Sequence, residues 1–270
     1  MSIQTVRTGE LEYLVSTLID TPHCFSTRRG GVSEGYLASL NLGWQRGDRE
    51  ENVLQNFRIL GDAVGFAPED IVVSEQIHST IVERVGRADR DSHFRGTSRE
   101  RDGIVTDEPE VALVAYGADC PTILLYDPVH RAVSAVHAGW RGTAAGIAAR
   151  AVEKLTAEYG TDPADVRAAI GPCIGRCCFE THREVPDAML AALGADALPA
   201  IDRESDAAPY DGEAHFHVDL KLLNEIWLRR AGVREIDVCP DCTACEPERF
   251  WSHRRTNGHR GSLAAIITLK

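Results

Sequence analysis

Long apolar runs are missing from this sequence. None approaches the roughly 18–20 residues that a membrane-spanning helix needs, so no membrane partner is expected. Positive charge is scarce. There are 29 Lys and Arg against 41 Asp and Glu, a formal net charge of −12. Such a surface repels a phosphate backbone, so nucleic acid is not the expected partner, although clustered arginines can still hold a small anion. Repeats, low-complexity blocks and long linkers are also lacking, and the 270 residues are therefore read as one domain, 1–270, with a sizeable core. Neither G-x-G-x-x-G at a strand–helix junction nor G-x-x-x-x-G-K-[ST] occurs, which removes the two common phosphate-cradling loops. The opening MSIQTVRTGELEYLV has no basic region followed by an apolar core, so a secretory signal is not expected and a cytoplasmic location is.

Eight cysteines are present. In a reducing compartment they read as thiols, metal ligands or a reactive site rather than a disulfide framework. CPDCTAC, residues 239–245, has C-x-x-C-x-x-C spacing. A four-thiolate site on Cys239, Cys242 and Cys245 would need a fourth ligand, which Cys173, Cys177 or Cys178 supplies only if the fold brings them together. Buried free cysteines beside a loop are the plainer reading.

The periodicity predicts an α/β (α+β) sandwich of mixed β-sheets flanked by helices, because strands and helices alternate without a strict βαβ rhythm. Strands are expected at 71–73, 111–116, 122–126, 132–136, 166–170, 215–218, 236–238 and 263–269. Helices are expected at 48–64 with Asp48 as N-cap, and at 142–158, 183–193 and 220–231. Residues 86–101 read as a polar surface loop and 199–214 as an acidic one.

His78 in SEQIHS, Cys120 in GADCP and His137 in VHAGWRGT all fall at the ends of expected strands. An antiparallel hairpin of 122–126 and 132–136 would bring Cys120 and His137 to one end of the sheet. Two imidazoles and a thiolate suit zinc, and three protein ligands leave a fourth position open, as in catalytic sites. A Cys120 nucleophile with a histidine base, or a buried thiol with two unrelated histidines, explains the spacing equally well. Asp119 would not orient the histidine, since neighbouring side chains on extended chain face opposite ways.

The stretches FSTRRGGVSEGYLASLNLG, SEQIHS, DGIVTD, GADCPTILLYDP, VHAGWRGT, AAIGPCIGRCCFE and FWSHRRTNGHRGSLAAIITL together resemble the YfiH-like family. Its members are described as multicopper polyphenol oxidases (laccases), as purine nucleoside phosphorylases with adenosine deaminase activity, and as peptidoglycan editing factors. The resemblance implies an α/β sandwich and a zinc ion (Zn2+) on His78, Cys120 and His137. Copper (Cu2+) is the alternative ion, because it outcompetes zinc for such ligands. Laccase chemistry uses about ten histidines for its copper centres, and this chain has ten in all, with one H-x-H at His215–His217. His93 and His182 read as loop residues.

The function implied is zinc-dependent phosphorolysis of adenosine, inosine, guanosine and methylthioadenosine, with adenosine deamination alongside. The expected partners are thus a nucleoside and phosphate. Cys120, His137 and Arg141 are the catalytic candidates. Arg141 follows His137 at a helix start, where free amides favour an anion. Arg28, Asn41, Arg46, Asp102 and Arg254 are the substrate-binding candidates, the arginines for their planar forks. Arg29 and Arg255 share those loops, and each arginine taken singly also reads as a surface ion-pair residue. The full deaminase signature is absent, CPDC supplying only a fragment. The alternatives are a metal- or cysteine-dependent amidase editing peptidoglycan precursors, then a copper polyphenol oxidase, then a non-enzymatic zinc-stabilised binding module.

Overall fold

The computed structural model describes residues 3–91, 99–203 and 215–270. In chain order the elements begin with β1 (Ile3–Thr8), β2 (Leu11–Ser16), β3 (His23–Ser26), α1 (Glu50–Val64), β4 (Ile71–Val72), β5 (Val82–Arg84) and β6 (Gly103–Thr106). They continue with β7 (Ala112–Gly117), β8 (Thr122–Asp127), β9 (Ala132–His137), α2 (Trp140–Ala144), α3 (Ile147–Tyr159), β10 (Arg167–Ile170) and β11 (Glu180–Thr181). Last come α4 (Glu184–Leu193), β12 (Ile201–Arg203), β13 (Phe216–Val218), α5 (Leu220–Arg230), β14 (Glu235–Val238), α6 (His253–Thr256) and β15 (Leu263–Ile267).

Two six-stranded mixed sheets, ordered β1-β2-β3-β15-β7-β4 and β14-β10-β8-β9-β6-β5, form the centre of the fold. The period of two along each strand explains how they pack. On β7, Leu113 and Ala115 face a core shared with Leu124 of β8 and Val133 of β9 in the other sheet. Ala112 and Val114 face the opposite way, against Val53, Phe57 and Leu60 of α1. On β8, Ile123 and Leu125 turn outward onto Ile147, Val152 and Leu155 of α3. Both faces of the central strands are therefore apolar, and the layers run helix, sheet, sheet, helix. Burying each large side chain contributes on the order of 1.5–3 kcal/mol. A three-stranded sheet, β11-β13-β12, packs beside α4 and α5 around Met189 and Leu223. The expected sandwich of mixed sheets between helices is thus the observed architecture.

Several local expectations are corrected. The helix read at 142–158 is two helices, broken at Gly146, whose φ of 78° is left-handed and whose α-carbon faces the Trp227 ring. Asp48 is not the cap of α1. The helix starts behind Arg49, and the Asp48 carboxylate instead accepts from Asn52 and Asn41 side chains. In the stretch read as a surface loop at 86–101, Arg101 is fully buried, donating to Glu83, Ser74 and the Val73 carbonyl. Residues 92–98, with His93, lie outside the described residues, as do 204–214 of the acidic stretch, whose first part forms β12. The β1–β2 hairpin was not anticipated, although Gly9 with φ 59° in a two-residue turn is its local signal.

Candidate active site

Three separate backbone devices converge at one end of the sheets. The first is the β8–β9 hairpin. Its antiparallel register sets Thr122 opposite His137, so Cys120, just before β8, stands beside the end of β9. The second is the turn carrying Cys120. Asp119 has a φ of 90°, a conformation that costs a non-glycine residue about 1–3 kcal/mol. Its buried carboxylate holds the turn by accepting from Thr243 Oγ1 at 2.6 Å, Ser252 Oγ at 3.1 Å and the Arg254 amide at 2.6 Å. The third is the loop from β4 to β5, which carries His78, also left-handed at φ 62°. Gln76 fastens this loop to β7, donating to the Tyr116 carbonyl and accepting from its amide as a strand residue would.

Asp102 ties the devices together. It precedes β6, which pairs with β9, and its carbonyl accepts from the His137 amide at 2.7 Å. Its carboxylate Oδ1 accepts from His137 Nδ1 at 2.8 Å and the His78 amide at 3.0 Å. Oδ2 accepts from the Ile77 and Ser79 amides at 3.2 and 2.6 Å and from Ser79 Oγ at 2.7 Å. Burial opposes its charge, but the bonds from His137 and Ser79 prevail and hold the carboxyl at about 2. A carboxylate on Nδ1 fixes the His137 tautomer and presents Nε2 outward, the arrangement found behind metal-ligating histidines.

The ligand atoms of His78, Cys120 and His137 lie within 4.8 Å of one another, with His78 Nε2 3.9 Å from Cys120 Sγ. Burial pushes the Cys120 thiol up, yet the charge and bonds of His137 and His78 outweigh it and bring it down to about 6. Reciprocally, burial disfavours charge on His137, but Cys120 and Asp102 raise it to about 9. A soft thiolate with two imidazoles, one already oriented by a carboxylate, fits a zinc or copper ion. His137 is buried, Cys120 half-buried and His78 exposed, so the triad reaches from the interior into open space.

That space is a cavity of about 880 Å³, in the range of small-molecule sites. Its walls include Trp44, Tyr116 and Phe179, with Arg46, Arg254 and Arg260. Arg254 is braced by donating to the Cys178 and Glu180 carbonyls. Arg260 was not singled out from the sequence, although it lies in the HRGS motif. Burial and the nearby Arg46 charge push its guanidinium down to about 10, and its buried Nε makes no hydrogen bond among the described residues.

Other candidates stand elsewhere. Arg28 stacks on Trp251 at 3.7 Å and donates to the Ala38 and Pro247 carbonyls, outside the cavity wall. Asn41 is fully buried and spends its amide on Gly43, Asp48 and the Ser262 amide, shaping the loop. Asp102 faces His137 and the 77–79 backbone rather than the cavity. Arg141 is exposed, lies over its neighbour Trp140 and is not in the wall, and α2 is only five residues long. The CPDCTAC cysteines separate, Cys239 being buried in the core and Cys242 and Cys245 lying together elsewhere.

A mixed-sheet sandwich with a His–Cys–His triad on the floor of an arginine-rimmed cavity defines the class. A family model described as multi-copper polyphenol oxidoreductase laccase matches residues 22–270, and the chain belongs to that family. It is 34% identical over 252 residues to a Bacillus subtilis protein named purine nucleoside phosphorylase YlmD, covering 91% of this chain and 87% of that one. It is 37% identical over 247 residues to the protein of the same name from Geobacillus stearothermophilus, covering 90% and 88%. The crystal structure of Bacillus licheniformis YfiH superposes with a TM-score of 0.90 at 33% identity, over 99% of both chains.

Proposed function

We propose that this chain is a zinc-dependent purine nucleoside phosphorylase. The observation that carries the reading is that one cavity holds both the His78–Cys120–His137 triad and the Arg46–Arg260 pair. Phosphorolysis breaks the bond from ribose C1′ to purine N9 and forms one from C1′ to a phosphate oxygen, so it needs an anion seat beside a base slot. Two guanidinium groups near each other, one with a buried unmade donor, favour a phosphate dianion. Trp44, Tyr116 and Phe179 offer flat faces for the purine. Asp102 keeps His137 in one tautomer and orientation. An ion on the triad would supply a Lewis acid at the cavity floor. Adenosine, inosine, guanosine and methylthioadenosine are the proposed substrates, and deamination of adenosine would draw on the same floor. The names of the relatives support phosphorolysis over the oxidase chemistry in the family's description.

Purified protein incubated with adenosine and phosphate is expected to yield adenine and ribose 1-phosphate, with no adenine when phosphate is omitted and none from Cys120→Ala. Inosine appearing without phosphate marks the deaminase. No turnover of any of the four nucleosides, together with hydrolysis of an aminoacyl muramic precursor, overturns the reading in favour of amide hydrolysis.

A further inference from the structure

A second cluster of thiols lies apart from the triad. Strands β10 and β14 run parallel and hydrogen-bonded, so the loops that follow them leave at the same end of the sheet. One loop carries Cys177 and Cys178, the other Cys242 and Cys245. Their four sulfurs all lie within 4.8 Å of one another. Cys245 Sγ stands 3.6 Å from Cys177 Sγ and 3.4 Å from Cys178 Sγ. Four sulfurs held ~2.3 Å from a tetrahedral ion would have edges of about 3.8 Å, close to this spacing. The backbone is arranged to match. The Gly175 amide donates to Cys242 Sγ at 3.1 Å, while the Cys245 amide closes the C-x-x-C turn by donating to the Cys242 carbonyl at 3.2 Å. Gly175 admits the close approach, since a Cβ there would lie 3.2 Å from Cys177 Sγ.

We infer that Cys177, Cys178, Cys242 and Cys245 form a closed, four-thiolate site for zinc. Two ligands come from a C-x-x-C knuckle and two from an adjacent pair on the facing loop, and amide donors stabilise thiolate sulfur. With no open position the ion is structural. It would lock the loop that lends Phe179 to the cavity wall, and whose Cys178 carbonyl braces Arg254, to the facing loop, whose Ala244 carbonyl holds Arg255.

The test counts metal on the full chain and is independent of turnover. Wild type is expected to carry two equivalents of zinc. Cys120→Ala/His137→Ala should lose one and keep the other, and Cys178→Ser/Cys245→Ser should do the same in the opposite sense. Should the cysteine variant fail to fold, cobalt reconstitution of Cys120→Ala decides the matter: sulfur-to-cobalt charge-transfer bands of four-thiolate intensity support the site. Loss of all metal and all such bands from Cys120→Ala/His137→Ala overturns it, as does a mass showing the four sulfurs paired as disulfides in freshly purified protein. Neither failure touches the phosphorolysis assay.

Discussion

Replacing Asp102 by Asn keeps the side chain's shape and removes an acceptor. Five donors converge on the carboxylate, two on Oδ1 and three on Oδ2. The amide offers one oxygen and one NH2 group, so whichever way it settles at least two donors meet another donor. A buried donor left unsatisfied costs about 1–3 kcal/mol, so about 2–6 kcal/mol of local order is at stake. If the amide oxygen stays with His137 Nδ1, the 77–79 backbone loosens and His78 drifts. If it turns away, His137 loses its tautomer. Both outcomes damage the triad, and loss of such a supporting partner lowers metal affinity about 10–100-fold. Competition between the protein and a chromophoric chelator measures this directly, with thermal unfolding run in parallel. Wild-type zinc affinity in Asp102→Asn would refute the argument, because it would show that the carboxylate does not organise the site.

Gly139→Ala should strip the triad's metal while leaving the fold. The added methyl would lie 2.3 Å from His78 Cδ2 and 3.4 Å from His137 Cε1. Metal analysis with circular dichroism checks it, and retention of full zinc counts against the geometry. Arg260→Ala should raise the KM for phosphate about 10–100-fold, the equivalent of about 1.5–3 kcal/mol for a charge-assisted bond. Steady-state kinetics at varied phosphate reads this, and an effect on nucleoside KM alone would move the anion seat elsewhere. His23 gives a pH dependence. Its Nε2 accepts from the Ser16 amide at 2.9 Å and its Nδ1 donates to the Thr21 carbonyl, so the ring is neutral, and burial lowers its pKa. Below about 6.5 the unfolded chain takes up a proton that the folded chain refuses. Stability should therefore fall with pH by up to about 1.4 kcal/mol per unit from this group, and His23→Gln should flatten the slope in denaturant melts.

The central strands were legible because their apolar runs are long and alternate between two buried faces, as on β7, β8 and β15. The spacing of Cys120 and His137 pointed to a shared sheet end because a short hairpin leaves little choice of register. His78 and Asp102 were harder. Both are set by irregular loops, and the acceptor role of Asp102 appears only once three distant segments meet. Arg260 carried no periodic signal, and its standing comes from Arg46, which lies far off in sequence. Arg141 reads in the sequence as an anion seat at a helix start, and what the sequence does not convey is that α2 is short and the side chain lies over Trp140. Cys242 and Cys245 were grouped with Cys239 by sequence, but the loop after β14 turns them away from the core.

The position of β15 in its sheet has a consequence for how the protein is made. Its two neighbours are β3 and β7, both far earlier in the chain. Any nascent or truncated chain ending before Leu263 holds two half-sheets with bare edges where that strand belongs, and such edges recruit other chains. A ribosome stalled late on this message would thus release a sticky product, and chaperone demand should peak just before synthesis reaches that segment.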